Sequence, residues 1–220
     1  IYSLAHGLAH GMRAVLKAPS VGIALAAIGT HRLVFGVNTL MFLLLVRHTE
    51  LGDALGANVR AITLIGGSVA LGALIAAGTT PVSIRFIGRR GTIIGALLIG
   101  ALAELGLLTL RPVPVLIAAA VVGLAGQTVK LCGDVAMQCD IFDTYRGQVF
   151  AVQDALFNTA FVAAIFFAAL FVPADGFSVP LVIGCSVLYA LTAAWVIREG
   201  QRAEGPVPPP LAEEPVTTSR

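Results

Sequence analysis

Residues 127–158 read QTVKLCGDVAMQCDIFDTYRGQVFAVQDALFN, and the fold is decided there. Apolar runs flank the stretch, Val113–Leu124 before it and Phe161–Val172 after it. Ionisable and amide residues therefore stand where two hydrocarbon-spanning helices belong. On a helix turning ~100° per residue, Gln127, Lys130, Asp134 and Gln138 fall on one narrow face. Asp154 and Asn158, four apart, share a face of the helix that follows. A charge turned toward lipid costs at least about 2.5 kcal/mol, so such residues point into protein or water and mark a solute path.

The composition agrees. Of 220 residues, 57% are apolar and only 12% are charged, more apolar surface than a soluble domain of this size can hide. A net charge of +2, scattered along the chain, excludes the basic surface that nucleic acid requires. Cys132 and Cys139 lie two helical turns apart, ~10 Å, beyond disulfide reach. Cys185 sits in another apolar run. All three read as small packing residues, and no soft-ligand spacing points to a metal or other cofactor. Ile1 in place of an initiator Met points to a piece of a longer protein.

Residues 1–20 are too polar to span. Ile1, Leu4, Leu8, Met12 and Val15 recur at helical spacing among His6, His10, Arg13 and Lys17, the pattern of an amphipathic linker helix on a membrane surface. Residues 21–197 hold six apolar stretches, each near the ~20 residues a crossing needs. Their expected bounds are Val21–Val46, Val59–Ala77, Gly91–Leu110, Val113–Val135, Val149–Phe171 and Val179–Val196. Gly52–Asp53, Arg111–Pro112 and Pro173–Asp175 mark turns between them. Residues 198–220, rich in Pro among Glu, Thr and Ser, read as a disordered tail. The fold class is thus all-α, a polytopic six-helix transmembrane bundle.

Cations set the orientation. Arg13, Lys17, Arg85, Arg89, Arg90, Arg146, Arg198, Arg202 and Arg220 fall on one side, against Arg47, Arg60 and Arg111 on the other. Both termini are expected in the cytoplasm, with the chain multi-pass in the cell membrane. Small residues at four-residue spacing (Ser68, Gly72 and Ala76; Ala96 and Gly100; Ala119 and Gly123) predict close helix contacts.

Arg32 lies eleven residues into the first span, ~16 Å deep. It either binds an anionic solute group or pairs with a carboxylate, locking two helices. Glu104 in the third span is a proton carrier, the partner of Arg32, or a group close enough to the outer surface to be wet. Lys130 and Asp134, four apart, read as an intrahelical pair, with Asp154 expected at similar depth on the return helix. Two carboxylates near one lysine either exchange a proton for a solute or hold an inner gate shut. Pro81–Gly91 reads as a short basic cytoplasmic turn closed by Gly88, Arg89 and Arg90, whose arginines can grip helix C-termini, acidic side chains or anionic lipid.

With these features in place, residues 5–197 resemble the carboxy-terminal half of a bacterial major facilitator superfamily transporter. Six spans with cytoplasmic ends, a preceding amphipathic segment and the Gly88-Arg89-Arg90 turn carry the resemblance. Arg146-Gly147-Gln148-Val149-Phe150 looks like the family's tenth-to-eleventh helix region. The family's loop pattern, Gly-x-x-x-Asp-Arg-x-Gly-Arg-Arg, is kept only at its end. Arg85 and Phe86 replace its Asp and Arg, and Pro81 its first Gly. The resemblance implies half of a twelve-helix, alternating-access fold, completed by an amino-terminal six-helix half in the same polypeptide or by a second copy. It favours Arg32, Asn38, Gln127 and Lys130 as solute-binding residues and sets Asp134 and Asp154 where an inner gate would be, while the third helix, which carries Glu104, usually lies at the periphery in the family. Asn158, on the face of Asp154, and Glu104 stand as gate and proton candidates on the residue reading alone.

The function read from the sequence is secondary active transport of a small solute, coupled to protons and directed to export. The chain is not expected to be an enzyme. A non-transporting membrane scaffold is one alternative. The other, an intramembrane aspartyl protease, rests on Gly133-Asp134 and Asp154, but Leu131 and Gln153 depart from its pattern, and Lys130 disturbs a shared proton.

Overall fold

A computed structural model describes residues 2–56 and 58–203. Its helices are α1 (Tyr2–Lys17), α2 (Pro19–His48), α3 (Glu50–Ala54), α4 (Asn58–Gly106), α5 (Pro112–Asp140), α6 (Asp143–Phe171) and α7 (Val179–Ala203). Residues 204–220, most of the tail expected to be disordered, lie outside the described residues. In hydrocarbon every backbone N–H and C=O needs an internal partner, which the long apolar runs obtain by staying helical. Proline opens α2 and α5, at Pro19 and Pro112, where its missing N–H leaves no helical bond unmade.

Five helices are long and apolar enough to cross a membrane, and α4 carries two of the six expected spans. Its backbone leaves helical geometry only at Gly88, with φ 72° and ψ 165°. Residues 58–87 form a first arm and 89–106 a second. Gly72 abuts Ala120 and the Thr80 hydroxyl bonds that of Thr128, so the first arm runs alongside α5 in the same direction. Gly100 abuts Ala125 and Gly106 abuts Ala118, so the second arm runs the opposite way. The chain therefore reverses at one residue, in a backbone region that glycine alone enters cheaply.

This corrects the expectation of a loop over 81–91. The helix continues through Pro81 to Ile87, because helices in apolar surroundings tolerate proline where neighbouring groups satisfy the backbone. Gly52–Asp53 also proves helical, within α3, and the turn falls instead at Leu55–Gly56, where Gly56 has φ 95°.

The centre of the bundle is α2, which packs on α5, α6, α7 and both ends of α4. Its buried stripe, including Ile28, His31, Val34, Asn38, Met41 and Leu45, follows the three- and four-residue spacing of one helical face. The α4–α5 contact is the tightest. A Cβ on Gly72 would lie 1.8 Å from the Ala120 carbonyl oxygen, and one on Gly123 2.2 Å from that of Val69. The expected small-residue stripes thus bring two backbones into direct contact. α6 is the least covered span, with 17% of its apolar stretch buried against 50% for α5. It leans on α2 and α1 and barely meets α5.

Gly123→Leu forces these backbones apart, whereas a Cβ on Gly184 meets nothing within 4 Å. Thermal unfolding of the purified protein should show a clear loss of stability for Gly123→Leu, about 1–3 kcal/mol or more, and almost none for Gly184→Ala.

Candidate functional site

Three polar clusters interrupt the apolar walls, and α2 contributes to two of them directly. On its buried stripe, the His31 Nδ1 lies 2.7 Å from the Tyr189 hydroxyl of α7, in a buried contact. The imidazole stacks on Phe35 with ring centroids 5.9 Å apart, and its other edge presses on Gly126 so closely that a Cβ there would lie 1.9 Å from Nε2. Two turns further along the same face, Asn38 Nδ2 donates to Glu104 Oε1 at 2.7 Å. Both residues are buried, and Asn38 Oδ1 and Glu104 Oε2 have no hydrogen-bond partner. Asn38 also lines a cavity of about 360 Å³ between α2 and the first arm of α4, whose other walls are largely apolar, among them Phe35, Phe42, Ile65 and Val69.

Arg32 sits one residue off that stripe and reaches the other way. Its guanidinium lies over the Phe157 ring of α6, 3.2 Å from the centroid, and 5.4 Å from that of Phe35. Among the described residues it has no carboxylate partner, and its buried Nε has no acceptor. The alternative that Arg32 pairs with Glu104 is therefore not realised. Asn38 lies ~9 Å along α2 and ~240° around from Arg32, and it is this residue that meets the second arm of α4.

The third cluster joins α5 to α6. Lys130 Nζ donates to Asp134 Oδ2 at 2.7 Å, and Gln153 Nε2 donates to Asp134 Oδ1 at 3.2 Å. The intrahelical pair expected from spacing is present. The second carboxylate expected beside it is not. Asp154 is exposed, its backbone carbonyl accepting from Asn158 Nδ2 at 2.8 Å, and Gln153 takes the inward position. Asp134 and Asp154 thus share no hydrogen bond among the described residues, which removes the geometry a carboxylate dyad needs. Gln127 is half-buried beside this cluster on α5, and Gln138 is exposed. Phe157 stands one turn beyond Gln153, so the Arg32 contact and the Lys130 cluster are ~6 Å apart along α6.

At the end of the bundle holding Gly88, the two arginines separate their tasks. Arg89 pairs with Asp140 at 2.8 Å, and Ser20 Oγ donates to the same carboxylate at 2.6 Å. Arg90 donates to the carbonyls of Val196 and Ile197 near the end of α7, at 2.6 Å for Ile197. Both are helix C-terminal regions, where cations also favour the helix dipole. Arg146 pairs with Asp143 at 2.6 Å and donates to the Gln138 carbonyl. No group of three or more potential metal-ligating side chains occurs among the described residues.

Sequence reading passed over two residues that the structure places centrally. His31, next to Arg32 in mid-span, carries an ionisable ring that deserved equal weight. Gln153 lies on the buried stripe of α6 with Val149, Ala160, Ala164 and Ala168, whereas Asp154 is ~100° off it. The three alanines at four-residue spacing were the available signal.

The chain is 42% identical over 193 residues to an uncharacterized MFS-type transporter of Mycobacterium bovis, and equally to one of Mycobacterium tuberculosis. The alignment covers 86% of this chain but 42% of each relative, so the chain spans less than half the length of the curated relatives it matches. No family model matches it, and no solved structure matches it.

Glu104→Gln keeps an acceptor for the Asn38 amide and should leave the thermal midpoint nearly unchanged. Glu104→Leu orphans that buried donor and should cost about 1–3 kcal/mol, read as a lowered midpoint in the same detergent.

Proposed function

We propose that this chain, 86% of which aligns at 42% identity with MFS-type transporters, forms one half of a proton-coupled, alternating-access carrier for a small solute bearing an anionic group. The observation that carries this reading is Arg32. A guanidinium in the middle of a span, with aromatic rings but no carboxylate beside it, is stable only if it meets water or a ligand of opposite charge. Planar, doubly donating and permanently charged, it suits a carboxylate or phosphate group. Lys130 adds positive charge held by Asp134, whose other oxygen takes Gln153, one turn along α6 from the Phe157 that Arg32 covers. Binding a solute anion there competes with Asp134 for Lys130 within α5.

Glu104 is the proton site in this reading. Its carboxyl is held by one amide donor, has no cation beside it, and keeps one oxygen free to carry a proton. The exposed face of α6, with Asp154 and Asn158, then lines the pathway against the other six-helix half, which the greater length of the relatives leaves room for. The cation-rich end with Arg13, Arg89 and Arg146 faces the cytoplasm of a cell-membrane protein, with both termini on that side.

The test uses the full-length protein in liposomes loaded with a pH-sensitive dye, challenged with a panel of small carboxylates, phosphates and amines. At least one anion should move protons in a protein-dependent way. Arg32→Gln should lower that flux by more than tenfold while Arg32→Lys retains part of it, and flux indifferent to Arg32→Gln, or confined to amines, overturns the anion site. Glu104→Gln should abolish proton movement yet leave exchange of labelled solute across the membrane intact, because exchange needs no net proton transfer.

A further inference from the structure

We propose that the groove between α1 and the α5–α6 turn binds the headgroup of an anionic phospholipid. The groove encloses about 400 Å³ and is lined by His10, Arg13 and Lys17 of α1 with Asp140, Phe142 and Tyr145 of the turn. Arg13 and Lys17, four residues apart on one helical face, are exposed and make no ion pair among the described residues. The one acid in the lining is already engaged, since Asp140 holds Arg89 at 2.8 Å and Ser20 at 2.6 Å. Asp143, the next acid along the turn, is paired with Arg146 at 2.6 Å. The groove therefore presents uncompensated positive charge.

Its position and its rim identify the source of the anion. Lys17 immediately precedes the span opened by Pro19, Asp140 ends α5, and α6 begins at Asp143, so the groove lies where three spans leave the hydrocarbon. A phospholipid carries its phosphodiester at that depth. Phe142 is 83% exposed and Leu16 76% exposed beside the cations, large apolar side chains that an acyl chain covers and a free phosphate does not. The width of the groove is fixed, because Gly11 brings α1 onto α6 so closely that a Cβ would lie 2.7 Å from the Gln148 carbonyl oxygen. Phosphate on Arg13 and Lys17, with the Tyr145 hydroxyl as a further donor, would bridge the linker helix to the turn carrying the α5–α6 junction. This assignment does not depend on the transport reading.

Native mass spectrometry of the full-length protein in detergent, titrated with phosphatidylglycerol or phosphatidylcholine, provides the test. The anionic lipid should be retained preferentially, and Arg13→Gln with Lys17→Gln should weaken its retention by roughly fivefold per cation removed. Arg60→Gln, at the opposite end of the bundle, should change nothing. Should the double variant fold poorly, Lys17→Gln alone and the loss of wild-type retention with rising salt give the same reading. Equal retention of both lipids, or a preference that survives removal of both cations, overturns the proposal. Displacement of phosphatidylglycerol by millimolar inorganic phosphate overturns it too, by assigning the groove to a free anion.

Discussion

Hydrocarbon offers no hydrogen bond, and that single constraint organises this bundle. Each polar side chain within the spans must find a partner on its own or a neighbouring helix, or open onto a wet space. The chain meets the demand mostly in pairs that cross between helices. His31 takes Tyr189, Asn38 takes Glu104, Thr80 takes Thr128, and Asp134 divides its two oxygens between Lys130 and Gln153. Arg32 is the exception, with aromatic faces in place of an acceptor. Functional interest falls on that exception because the other charges turned into the bundle, Glu104, Lys130 and Asp134, each hold a side-chain partner, while Asp154 faces outward.

Packing and polarity are coupled through the small residues. Gly126 leaves room for the imidazole of His31, and Gly123 and Gly72 let α4 and α5 touch backbone to backbone. Without a hydrophobic drive between helices in lipid, such close approach and the bonds it permits supply much of the cohesion. At the Gly88 end, Asp140 draws together the start of α2, the reversal of α4 and the end of α5 through Ser20 and Arg89. The clusters in mid-span are thus held between a tight α4–α5 seam and a network of ion pairs at the boundary.

Much of this architecture is legible in the sequence. Span count and approximate bounds follow from the apolar runs, the Lys130–Asp134 pair from its spacing, and the close contacts from the glycine and alanine stripes. What escaped was azimuth. Asp154 and Gln153 are neighbours in sequence, yet a rotation of ~100° sends one outward and the other to Asp134. The same rotation separates His31 from Arg32 on α2. Periodicity specifies a face only where a long enough stripe is followed to its end, and the stripe of α6 runs from Val149 to Ala168. The uninterrupted helix through Pro81 was hidden for another reason, since proline breaks helices in water more reliably than in apolar surroundings.

The uneven embrace of α6 has a mechanical consequence. Five crossing segments interlock around α2, the α4–α5 seam and the second arm of α4 against α7. α6 is hung on α2 at Gly29 and Gly36 and steadied by α1 at Gly11, and it is tied to α5 by Gln153 on Asp134 in mid-span and by Arg146 on the Gln138 carbonyl at the turn. A motion of α6 would part the Arg32–Phe157 and Phe35–Phe161 contacts and leave the α4–α5 seam intact. The division of labour between a rigid frame and one loosely hung member is built into where the glycines fall.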